Sequence, residues 1–142
     1  MRGLRRALPV VAGLWVAWTA SAAGLDPTAV REGAQLFREA CAACHGEHGT
    51  GDGPAADALR TRPTDLTRLA ARNAGTFPRD RVIEVIAGER PVTAHGSREM
   101  PVWCQRFAPS GSGATAAASI YARRNLERLA TYLESIQHSG RP

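Results

Sequence analysis

The chain has no lysine: all 18 of its strongly basic residues are arginine. Together with its abundance of alanine, this reads as the coding bias of a GC-rich bacterium rather than a functional signal. A basic block is also missing. Arginines and acids are scattered together through the chain, which argues against nucleic acid as a partner. The longest apolar stretch, Ala7 to Ala20, is about 14 residues, short of the ~20 that a membrane-spanning helix needs. No stretch reads convincingly as a strand, no segment repeats, and the 142 residues leave no room for a large second domain. The cysteines number three, an odd count that disulfides alone cannot use up.

What is present begins with an export signal. Arg2, Arg5 and Arg6 precede the apolar stretch, and "ASAAG" follows it with small residues at Ala20 and Ala22 or at Ser21 and Ala23. Residues 1–23 are therefore expected to be a signal peptide and 24–142 a single exported domain, placed in the periplasm. An uncleaved signal acting as a membrane anchor is the alternative. Removing the signal's three arginines lowers the formal charge from +5 to +2, so part of the high pI belongs to a discarded piece. Trp15 and Trp18 leave with it, and Trp103 and Met100 become the only tryptophan and methionine of the domain.

Within the domain the pattern is helical. Asp26 followed by Pro27 is a capping side chain and a first-turn proline. Val30, Ala34, Phe37, Cys41 and Cys44 recur at helical spacing and put both cysteines at the C-terminal end of one helix. Gly46, Gly49, Gly51, Gly53 and Pro54 then break regular structure. A short helix is expected over Leu66–Asn73 and a clearer one over Arg79–Ala87, stopped by Gly88. From Gly88 to Gly113 the chain is rich in Gly, Pro and Ser, and a loop of that length generally carries a site. An amphipathic helix closes the chain, with Ile120, Leu126, Leu129, Leu133 and Ile136 as its expected buried stripe.

The chemistry centres on "CAACHGEH", residues 41–48. Cys41 and Cys44 could be a redox dithiol, but such pairs usually open a helix in a βαβ setting. They could be half of a zinc site completed by two of His45, His95 and Cys104, but no second cysteine pair exists. C-x-x-C-H is also the attachment signature of a c-type haem. One helical turn brings both sulfurs to the same side, and His45 follows to supply an iron ligand. This reading needs export, and the signal supplies it. For the sixth ligand the sequence offers Met100, within "HGSREMPVWCQRF", whose thioether suits low-spin iron. His95, five residues earlier, is the competing candidate, whereas His48 and His138 read as solvated.

With these residues in view the chain resembles a class I monohaem cytochrome c over essentially its whole mature region. The resemblance implies an all-α domain of about four helices wrapped around one haem, covalently attached through Cys41 and Cys44, with His45 and Met100 as iron ligands. It implies that "EGAQLFREACAACH" crosses "LERLATYLESIQ", so that Gly33 and Phe37 meet Leu129 and Tyr132. It further implies that the carbonyl of Pro63, in "RPTDLT", accepts the proton of the proximal histidine's Nδ1. The function implied is one-electron transfer between redox proteins, as a shuttle or as the electron-transfer subunit of a respiratory or dehydrogenase complex associated with a membrane, and not catalysis. The alternative is a haem enzyme with a labile sixth ligand, peroxidase-like or acting in sulfur-compound oxidation. Cys104 departs from the family pattern, which has glycine after this tryptophan. It is expected to be an inert buried thiol, or else an exposed thiol forming a disulfide with a second copy of the chain or a partner subunit.

Overall fold

The computed structural model describes residues 24–90, 106–107, 111 and 115–138. The expected signal peptide and the positions of His95, Met100, Trp103 and Cys104 lie outside the described residues.

Among the described residues every regular element is helical. Helix α1 spans Pro27–Ala40, α2 is the single turn Ala42–His45, α3 spans Arg79–Ala87 and α4 spans Ala116–Ser135. Three short 3-10 turns lie between α2 and α3, at Ala56–Ala58, Leu66–Arg68 and Ala71–Asn73. The chain is thus all-α, as expected.

Local chemistry sets the helix ends. The Asp26 carboxylate accepts the Thr28 amide at 2.9 Å, and Pro27 occupies the first turn, where its missing N–H costs nothing. Gly88 ends α3 in the left-handed region, at φ 78°. The Thr115 hydroxyl caps α4 by accepting the Ala118 amide at 3.1 Å. The boundaries of α3 are those expected from its sequence.

The core lies where α1 and α4 cross. Phe37 and Leu129 are fully buried there, each contributing about 1.5–3 kcal/mol by burial. The rings of Phe37 and Tyr132 meet with centroids 5.3 Å apart. Gly33 permits the approach: a Cβ added there would sit 2.1 Å from the Arg128 carbonyl oxygen. Val82 and Ile86 of α3 and Phe107 join the same cluster. At the rim, Arg128 pairs with Glu32 at 2.7 Å.

Arg79, at the start of α3, fastens that helix to α4. Its guanidinium donates to Glu134 (2.8 Å), to the Thr131 hydroxyl (2.8 Å) and to both the carboxylate (3.2 Å) and the backbone carbonyl (3.0 Å) of Glu127. A third of the side chain remains exposed, so solvent screens the charge part of these contacts. Arg79→Ala should cost about 1–2 kcal/mol. Urea unfolding should show that cost shrinking at high salt.

Three expectations are corrected. Cys41 does not continue α1. Its φ of −119° departs from the helical value, so Cys41 sits at the break between α1 and α2 and Cys44 lies within α2. Leu66–Asn73 forms two 3-10 turns rather than one helix, because the Ala70 amide is taken by the side chain of Gln137 at 2.8 Å. Ile120 is 58 % exposed and is not part of the buried stripe. It lies nine residues before Leu129, which at about 100° per residue puts it on the opposite face of α4. Leu126, Leu129 and Leu133 are buried as expected, and Ile136 is half-buried.

Candidate functional site

The break at Cys41 leaves the turn hydrogen-bonded on both sides. Its amide donates to the Phe37 carbonyl at 2.8 Å, and its own carbonyl accepts the amides of Cys44 (3.1 Å) and His45 (2.9 Å). Both thiols are free of any disulfide and half-buried. Burial, with a smaller contribution from the neighbouring Cys44, pushes the Cys41 thiol up to about 12. It therefore stays protonated at neutral pH, the reverse of what a redox dithiol or a nucleophile requires.

The four carbonyls of α2, which a helix end leaves without partners, are all taken by the glycine-rich loop that follows. Ala42 accepts from Gly46 (2.9 Å), Ala43 from Ala55 (2.9 Å), Cys44 from Gly53 (3.1 Å) and His45 from Gly51 (2.8 Å). Such close wrapping excludes side chains. A Cβ on Gly53 would lie 2.5 Å from the Ala43 oxygen and 2.6 Å from that of Ala42. At Gly51, with φ at 84°, a Cβ would lie 2.3 Å from the Pro63 oxygen. The loop thus holds the C-x-x-C-H turn on one side and the 62–66 segment on the other, where the Leu66 amide donates to Gly49 at 2.7 Å.

That segment supplies the partner of the histidine. His45 Nδ1 lies 3.0 Å from the carbonyl oxygen of Thr64. A carbonyl can only accept, so Nδ1 carries the proton and Nε2 carries the lone pair with which an imidazole binds a metal. The expected acceptor was Pro63, and this is corrected by one residue. Pro63 is buried with its carbonyl turned onto Gly51, and in an extended chain the next carbonyl points the other way, onto His45. Pro63 still fixes the backbone just before the acceptor. Nothing in the sequence marks Thr64 itself, since any residue offers a carbonyl.

His48 and His138 are exposed, as expected. Among the described residues no three His, Cys, Asp or Glu side chains are grouped to hold a metal ion; His95 and Cys104, which the zinc reading would recruit, lie outside them. No helix among them is long and apolar enough to cross a membrane. The donor set fits a c-type haem instead: two thiols one turn apart, and an imidazole oriented through its other nitrogen. Cys41 and Cys44 would hold the group by thioethers, and it would supply reversible one-electron chemistry at its iron.

Comparison with known proteins agrees. The cytochrome c family model matches residues 30–137, from the first turn of α1 to just beyond α4. Searches of curated proteins and of solved structures gave no match. The match spans most of the chain and includes the C-x-x-C-H turn, and its fold and cofactor are those just described: the chain belongs to the cytochrome c family and carries a covalently bound c-type haem.

Proposed function

We propose that this protein is an exported carrier of single electrons whose haem iron is held between His45 and Met100. The observation that carries the reading is the hydrogen bond from His45 Nδ1 to the Thr64 carbonyl, which fixes the ring and strengthens Nε2 as a donor. Met100 is the only methionine left once residues 1–23 are removed, and a thioether ligand keeps the potential relatively high. With His45 and Met100 both holding the iron, substrate would have no place to bind. The task is then outer-sphere transfer between a donor and an acceptor protein in the periplasm, as a shuttle or as a subunit of a membrane-associated respiratory or dehydrogenase complex.

The test is Met100→Ala in the matured protein. Its oxidised spectrum should lose the methionine–iron charge-transfer band and its potential should fall. Carbon monoxide binding to the reduced form should rise from negligible to one per haem. If His95→Ala produces these changes and Met100→Ala does not, the distal ligand is His95. A wild-type reduced protein that already binds carbon monoxide would overturn the carrier reading in favour of a haem enzyme.

A further inference from the structure

We propose that Gln137 is a positioning residue for His45, acting at a distance through the segment that carries the Thr64 carbonyl. The proposal rests on His45 being the proximal ligand. Gln137 lies just beyond the end of α4, and its amide group uses both of its ends. Its Oε1 accepts the Ala70 amide at 2.8 Å, and its Nε2 donates to the Leu66 carbonyl at 2.7 Å and to the Leu133 carbonyl at 2.7 Å. The adjacent His138 amide adds a bond to the Thr67 carbonyl at 2.9 Å. Leu133 belongs to α4 and is buried against α1, so Gln137 is anchored on the rigid side of the fold.

The segment it grips has little rigidity of its own. Between Pro63 and Asn73 the chain makes only two 3-10 turns, whose hydrogen bonds are poorer than those of an α-helix. Asp65 ties the first turn locally, accepting the amide and hydroxyl of Thr67 at 2.9 and 2.6 Å. These bonds shape the turn but do not place it relative to His45. Placement comes from long-range attachments: the Ala70 amide to Gln137, the Thr67 carbonyl to the His138 amide and, nearest to Thr64, the Leu66 amide to Gly49 and the Leu66 carbonyl to Gln137. Thr64 lies two residues before this point. If the Gln137 attachment is lost, the segment keeps its bonds to the glycine loop and to the His138 amide, but the stretch from Leu66 to Ala70 loses its side-chain clamp and the Thr64 carbonyl is freer to tilt away from Nδ1.

The consequence is electronic. A carbonyl accepting from Nδ1 gives the imidazole more anionic character, which favours the oxidised metal and lowers the potential. Weakening that bond should therefore raise the potential. Glutamine suits the position because one side chain must both donate and accept. Leucine does neither, and glutamate keeps the acceptor for Ala70 but loses the donations to Leu66 and Leu133.

The experiment uses the matured full chain carrying Gln137→Leu or Gln137→Glu, with Arg79→Ala as a control that loosens α4 without touching residues 64–70. Two readouts are taken on each: the midpoint potential, and the exchange rate of the His45 Nδ1 proton by NMR of the reduced form. Gln137→Leu should exchange that proton at least tenfold faster and shift the potential upward, with Gln137→Glu between it and wild type and Arg79→Ala unchanged in both. If the leucine variant does not mature, the glutamate variant carries the comparison. Wild-type exchange and potential in the Gln137 variants, or equal changes in Arg79→Ala, would overturn the proposal. A His45 Nδ1 proton with no haem ring-current shift in the wild type would instead overturn the ligand reading on which it rests.

Discussion

Replacing Cys41 and Cys44 together by alanine should leave a chain from which all haem is removed by denaturation and acid–acetone extraction, whereas the wild type retains one haem per chain. Cys41 sits half-buried at the α1–α2 break and Cys44 half-buried within α2, one turn apart and next to His45. Both thiols are free of any disulfide, so both are open to thioether formation. The single variants should mature poorly or not at all, because each removes one of the two covalent bonds. A pyridine haemochrome spectrum of the extracted protein measures what remains. Full haem retention in the double variant would refute covalent attachment at these residues.

The second large effect is expected at Gly33. Gly33→Ala should lower stability by about 2–4 kcal/mol, since its Cβ would collide with backbone rather than with a side chain that could swing aside. The atoms it meets are the carbonyl oxygen and carbon of Arg128, at 2.1 and 2.7 Å, and the Cβ of Tyr132 at 2.8 Å. To relieve this, α1 and α4 must separate, and that opens the packing around Phe37 and Leu129. Alanine's better helix propensity recovers only about 1 kcal/mol of the loss. Thermal unfolding of the matured protein should show a drop of roughly 8–20 °C. Gly24→Ala, where an added Cβ meets nothing within 4 Å, should leave the melting temperature unchanged. A Gly33 variant melting with the wild type would mean that the two helices are not packed this closely.

Gly33 illustrates what the resemblance to the family carried. It implied that Gly33 and Phe37 meet Leu129 and Tyr132, the glycine permitting close approach of two backbones. The contact with Arg128 and Tyr132 has that form. The C-x-x-C-H turn, the Asp26 and Pro27 start of α1, and the span of α3 with Gly88 as its stop were legible in the residues themselves. Each depends on residues adjacent in sequence, where propensity, capping and spacing act directly.

Elsewhere the tertiary structure decided. The buried stripe expected for α4 includes Ile120, which helical spacing itself sets opposite Leu129, and the packing against α1 and α3 leaves it exposed. Leu66–Asn73 has the composition of a helix, yet two of its backbone groups bond to Gln137, about 70 positions away, and the helix gives way to 3-10 turns. The acceptor for His45 moved from Pro63 to Thr64 because the loop at Gly51 claims the proline's side of the chain. Backbone carbonyls are the same in every residue. Sequence therefore determined which side chains carry the chemistry, and only the folded chain determined which carbonyl orients the histidine.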